Sequence, residues 1–140
     1  MSREILFRGK RKDNGEWVEG YCVVIAKCYY IFTGKLVIAK NATNFEYYSV
    51  SPETVGQFTG LTDKNGTKIF EDDVVIISSR SIDEEDGIAL IEWDEDDARF
   101  IFAWGNLVAG FDDFYSYEIE VIGNIHDNPE LMEEEEVQNG

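Results

Sequence analysis

Short runs of β-branched and aromatic residues, broken by glycine-centred turns at close intervals, constrain this chain more than any other feature. Asn14-Gly15 separates Ile5-Leu6-Phe7-Arg8-Gly9 from Trp17-Val18-Glu19-Gly20-Tyr21-Cys22-Val23-Val24-Ile25, and Asn65-Gly66 separates Val55–Leu61 from Thr67–Phe70. An Asn-Gly pair between β-forming runs is a hairpin signal, because a type I′ turn needs positive φ at both central residues. Thr33-Gly34-Lys35 predicts another turn between Tyr29-Tyr30-Ile31-Phe32 and Leu36-Val37-Ile38, and Phe45–Val50 reads as a further aromatic strand. Ser51-Pro52-Glu53-Thr54 predicts one helical turn, with Ser as cap and Pro at the first helical position. The chain reads as all-β, since its runs are too short and too β-branched for amphipathic helices.

From Ile69 onward the order of segments is more specific. The charged turn Glu71-Asp72-Asp73 leads into Val74-Val75-Ile76-Ile77, an acidic loop follows, and Gly87-Ile88-Ala89-Leu90-Ile91-Glu92-Trp93 turns back into Phe100-Ile101-Phe102 before Tyr117–Ile125. Strands spaced in this way predict a small barrel of the SH3-like type rather than a sheet with crossover helices. The expected organisation is a hairpin-rich β subdomain over 1–61, an SH3-like β-barrel over 62–130, and an acidic, disordered tail over 131–140.

Charge bears on partners. The chain holds 29 Asp and Glu against 12 Lys and Arg, a formal net charge of −17. Residues 1–70 carry ten basic and seven acidic side chains, whereas residues 71–140 carry two and twenty-two. A field of that sign repels a polyanion, so generic nucleic-acid binding is excluded for the second half, and the exclusion weakens for the first. The 44% apolar and 14% aromatic content is that of a core former, not of a disordered acidic chain. No basic-then-apolar leader and no apolar run of about 20 residues is present in the sequence, so a cytoplasmic protein is expected. Cys22 and Cys28 fit neither a C-x-x-C pair nor a zinc spacing and are read as buried thiols.

Candidate chemistries follow from residue types. His126 is the sole histidine, beside Asp127-Asn128-Pro129, and reads as a surface or interface residue rather than a catalytic base. Asp94-Glu95-Asp96-Asp97 lacks the glycine and the final glutamate of a calcium loop. No catalytic residue, metal ligand or cofactor is expected, and the chain is not read as an enzyme. Two segments stand out as interaction candidates. Arg8, Lys10, Arg11 and Lys12 form a basic run beside Trp17, able to meet a weakly bound nucleic acid or the acidic half of another copy. Phe111, Phe114 and Tyr115 are interleaved with acids after Gly110 and read as an exposed aromatic patch.

Several blocks taken together resemble a known family. Arg3-Glu4-Ile5 with Phe7-Arg8-Gly9-Lys10, Asn14-Gly15-Glu16-Trp17-Val18-Glu19-Gly20, Glu53-Thr54-Val55-Gly56-Gln57-Phe58-Thr59-Gly60-Leu61, Asp63-Lys64-Asn65-Gly66, Ile69-Phe70-Glu71-Asp72-Asp73-Val74-Val75, Glu92-Trp93-Asp94 and Glu120–Leu131 occur in the order of the YopX family of phage and prophage proteins, which this chain resembles. Asp72 departs from the pattern, which has glycine there. Aspartate tolerates the left-handed region better than most residues, so the turn is expected to survive with some strain. Residues 22–48 carry little of the family pattern. The resemblance implies a mostly β protein with an SH3-type C-terminal part, encoded by a phage or mobile element, and it brings no assigned activity or catalytic residue. The expected function is a non-enzymatic protein-interaction module that forms homo-oligomers through attraction between its unlike halves. The alternative is an acidic DNA mimic that inhibits a host DNA-binding protein, and the third reading is weak nucleic-acid binding by the basic hairpin.

Overall fold

Turn chemistry places the first reversal. Asn14 and Gly15 close the hairpin between β1 (Phe7–Lys10) and β2 (Trp17–Ile25), with Gly15 at φ +75° and Asn14 Oδ1 accepting the Glu16 amide at 2.9 Å. The structure, a computed structural model, describes residues 4–133. Among these the regular elements are eleven strands and short 3-10 turns, so the fold is all-β. The chain divides into two units at Gly60 and Leu61.

In the first unit β3 (Cys28–Ala39), β4 (Ala42–Val50) and β5 (Gly56–Thr62, which runs on past the unit boundary) join β1 and β2 in the antiparallel order β4-β3-β2-β1-β5. Gly34 does not make the expected turn. β3 runs straight through it, and the β3–β4 register shifts between Phe32 and Leu36, so Gly34 (φ +90°) marks a bulge. The reversals fall instead at Ala26-Lys27 and Lys40-Asn41, where all four residues have positive φ without any glycine. Gly20 is needed for a different reason: a Cβ there would lie 2.0 Å from the Phe32 carbonyl oxygen. The expected helical turn is present as a 3-10 turn at Pro52–Thr54, but Ser51 supplies no side-chain cap. Thr54 does the work, its hydroxyl donating to Ser51 O at 2.6 Å and accepting the Lys10 amide at 2.9 Å. Leu6, Ile31, Val50 and Phe58 form this unit's buried apolar set.

The second unit contains β6 (Lys68–Phe70) and the sheet of β7 (Asp73–Ile77), β8 (Gly87–Asp94), β9 (Arg99–Trp104), β10 (Leu107–Gly110) and β11 (Ile119–Asn124). Its order is β10-β9-β8-β7-β11, antiparallel throughout. The expected closed barrel is not formed: β10 and β11 are the two ends of an open sheet. Ile69, Val75, Ile77, Ala89, Ile91, Phe102 and Ile119 make the core. Asp63 fixes the turn before β6, its Oδ1 accepting the amides of Asn65 and Thr67 and its Oδ2 that of Val121, each at 2.9 Å. Asp72 adopts φ +74°, the left-handed turn anticipated at this departure from glycine. Its amide donates to Ile91 O and its carbonyl accepts from Ile125 N. Leu131 and Met132, expected in the tail, belong to a 3-10 turn (Pro129–Met132) and are half-buried. The rest of that tail, residues 134–140, lies outside the described residues.

Candidate interaction surfaces

The basic run sits on and just after β1, and its cations are engaged within the first unit. Arg8 Cζ lies 4.7 Å and Lys10 Nζ 5.6 Å from the Trp17 ring centroid, a cross-strand arrangement set by the Lys10–Trp17 register. The Arg11 guanidinium stacks 3.8 Å from the Tyr48 ring and grips Asp13 with two bonds, Nε to Oδ1 at 2.9 Å and Nη2 to Oδ2 at 2.7 Å. The bond from Arg11 holds the Asp13 carboxyl below its usual range. Lys12 is exposed at the hairpin tip. Arg8, Lys10 and Arg11 therefore come together around two rings, and Lys12 is not brought to them.

Phe111, Phe114 and Tyr115 do not form the exposed patch read from the sequence. Phe111 stacks on core Phe102 at 4.2 Å, Phe114 meets the same ring edge-on at 5.3 Å, and both are half-buried. Of the three, Tyr115 alone is exposed. Asp113, between them, accepts the Gly110 amide, and Glu118, just after them, accepts the Tyr115 amide. Arg80, beyond β7, anchors this loop through Glu118 and the Asp113 carbonyl and lies 5.6 Å from the Phe114 ring centroid. Phe114 is a shared wall of an open cleft of about 310 Å³, lined also by Ile77, Arg80, Glu84 and Trp104, and of one of about 280 Å³ beside Leu61, Ile69 and Ile119.

A third surface was not singled out from the sequence. Directly paired residues of antiparallel strands share a face, so the β2–β3–β4 register places Tyr21, Phe32 and Tyr47 in one row, Val23, Tyr30 and Ser49 in the next, and Ile25 with Cys28 beyond. Past the bulge, the pairs Leu36–Phe45 and Ile38–Thr43 continue the same face, because Phe45 and Tyr47 are two apart on one strand. Not one of these twelve residues is charged. Tyr21, Ile25, Leu36, Ile38, Phe45 and Tyr47 each leave more than half of their surface exposed, Ile38 as much as 76%. Phe32 and Tyr47 stack at 5.1 Å, and Tyr30 meets Tyr47 edge-on at 5.8 Å. Lys27, Lys35 and Lys40 stand at the turns and the bulge around it. The opposite face carries buried Ile31 and Val50, and Glu46, whose carboxyl accepts from Thr33 Oγ1 at 2.6 Å and is held below its usual range chiefly by that bond. Cys28, expected to be buried, is exposed on the uncharged face, while half-buried Cys22 faces the other way and its thiol is pushed up by burial. No alternation marks this face in the sequence, because Cys22 and Val24, between Tyr21, Val23 and Ile25, are apolar as well; only the strand register separates the two sides.

His126 Nε2 lies 2.9 Å from Asp72 Oδ2, so the lone histidine braces the left-handed turn. In the acidic run 94–97, Asp94 Oδ1 accepts the Asp96 amide at 3.0 Å and Ala98 has φ +53°, the geometry of a tight strand connection. Among the described residues, no group of three or more His, Cys, Asp or Glu side chains is placed to hold a metal ion, and no helix is long and apolar enough to cross a membrane.

An all-antiparallel protein of two sheet-based units, with an aromatic patch of uncharged residues on one face of the first, is thus what fold and surfaces define. The chain belongs to the YopX family: the family model, described as YopX protein, matches residues 6–133. No curated protein matches it. Among solved structures it is similar to the crystal structure of protein EF1440 from Enterococcus faecalis, with 25% identity and a TM-score of 0.63 over 94% of this chain and 100% of that one.

Proposed function

We propose that this protein is a non-enzymatic accessory module, phage- or prophage-encoded, that works in the host cytoplasm by binding protein through the uncharged face of β2, β3 and β4. One observation carries the reading: seven large apolar side chains stand exposed on one continuous stretch of a sheet face whose paired residues are all uncharged, with Glu19 and lysines at its margin. An apolar centre with a polar rim is the anatomy of a protein interface, and patches of this extent on soluble proteins mark interaction sites. The second unit, in which a meander β7-β8-β9-β10 is followed by a 3-10 turn and a last strand returning to β7, is read as an open variant of the SH3-like plan. DNA mimicry is less well supported, because the acids of the second unit cap separate turns rather than line up in rows spaced like phosphates.

Immobilised wild type and the Leu36→Glu variant, exposed to host lysate containing a tagged copy of the protein itself, test the proposal. Recovery of one defined protein on the wild type, lost on the variant, is the expected result. Equal recovery on both, or release of a host DNA-binding protein from DNA by wild type and variant alike, contradicts it.

A further inference from the structure

We infer that the protein bound at this face is a second copy of the same chain, the two β2–β4 sheets packing face to face about a two-fold axis. This rests on the reading of the face as a protein-binding surface and names its occupant.

A sheet that is apolar on one side is stable only when a second layer about 10 Å away covers that side. No described element does so here, since Tyr21, Leu36, Ile38, Phe45 and Tyr47 are all more than half exposed. A second copy supplies the missing layer in the same chemistry. The size fits: the exposed portions of the seven side chains amount to roughly 800–1,000 Å², and a standard interface takes about 800 Å² from each partner. Shape fits as well. Large Phe45 and Tyr47 share the face with small Thr43 and Ser49, so a sheet laid at about −30° on its copy can interdigitate ridge into gap.

Charge selects which unit meets its copy. The first unit carries eight basic and six acidic side chains, the second four and twenty-three. Two second units repel strongly, whereas two first units approach nearly neutral and bury no charge at the uncharged face. The contact is thus apolar rather than the head-to-tail attraction of unlike halves expected from the sequence, and the two make opposite predictions about salt.

Sedimentation equilibrium on the full chain, from about 1 to about 100 μM and in low and high salt, tests the inference. The wild type is expected to reach twice 16.0 kDa with a dissociation constant that salt does not weaken. Phe45→Glu is expected to weaken dimerisation at least about 100-fold, and Phe45→Ala, which keeps the strand uncharged, by about 10-fold with an unchanged far-ultraviolet circular dichroism spectrum. A wild type of 16.0 kDa throughout, a dimer that salt dissolves, or dimerisation unaltered by both substitutions overturns it. Two observations then separate the levels of the account. A monomer that binds an apolar dye, with binding lost in Phe45→Glu, leaves the face open for a different protein; a monomer that binds none removes the protein-binding reading too. Co-sedimentation of the monomer with phosphatidylglycerol vesicles likewise overturns the second copy as occupant.

Discussion

Arg80 and Glu118 form a two-pronged ion pair, Nε to Oε2 at 2.6 Å and Nη2 to Oε1 at 2.9 Å, that ties the segment after β7 to the loop entering β11. The Arg80 bonds, aided by the Tyr115 amide, lower the Glu118 carboxyl from 4.5 to about 2. A carboxyl whose folded-state value is depressed stabilises the fold above its unfolded value, and that contribution is lost as pH falls toward the folded one. Wild type and Glu118→Gln are therefore expected to differ by a constant amount in urea midpoint above pH 4.5, and to converge as pH drops toward about 2. Parallel curves down to the lowest pH would show that the pair contributes nothing.

Asp72 trades backbone strain for a contact with His126. Asp72→Ala keeps the unfavourable left-handed conformation (φ +74°) and loses the bond to His126, so it is expected to cost about 2 kcal/mol. Asp72→Gly loses the same bond but relieves the strain and is expected to lie about 1 kcal/mol above Asp72→Ala. Urea denaturation of both variants measures the gap, and equal stabilities would refute the strain argument.

Asp63 organises its turn as an acceptor of three amides. Burial pushes its carboxyl up, yet the amides of Val121, Thr67 and Asn65 outweigh burial and hold it below the usual range. Asp63→Ala leaves three donors to find water at a site only 5% exposed, with an expected cost of about 3 kcal/mol. Asp63→Asn, which keeps one acceptor oxygen but turns a donor toward an amide, is expected to fall between the two in thermal denaturation.

Gly20→Ala addresses the β2–β3 pairing. Its methyl group would meet the Phe32 carbonyl oxygen at 2.0 Å, backbone that cannot swing aside. A loss of about 3 kcal/mol or more is expected, with accelerated amide exchange in residues 21–32 as the specific readout. An alanine variant with native exchange there would mean that β2 and β3 do not approach as described.

Much of this architecture could be read from local chemistry. Gly15 and Gly66 have positive φ but Asn14 and Asn65 do not, so both Asn-Gly pairs reverse the chain as expected without forming the type I′ turn that needs positive φ at both residues, and the left-handed Asp72 followed from the glycine that the family pattern has at its place. Local chemistry failed where tertiary pairing overrode it. Gly34 looks like a turn residue but is held in a bulge by β4, whereas Ala26-Lys27 and Lys40-Asn41 reverse the chain without a glycine. That error of register hid the uncharged face, because only the correct β2–β3–β4 pairing brings Tyr21, Phe45 and Tyr47 to one side. Phe111 and Phe114 misled for the opposite reason: acids beside them suggested exposure, but those acids cap turns while the rings reach Phe102. Arg80 carried no sequence signal at all, since Glu118 lies 38 residues away.

Cys28 offers the most direct test of the central claim, that the uncharged face of β2–β4 is an open surface covered by a second copy of the chain. It lies on that face opposite Ile25 and is exposed, whereas Cys22 lies on the other face and can be replaced by serine to leave a single reporter. In the Cys22→Ser protein, the rate of thiol alkylation at Cys28 is predicted to be fast at low protein concentration and to fall at least about tenfold as the face is covered at high concentration, with Phe45→Glu restoring the fast rate. A Cys28 rate independent of protein concentration would contradict the account.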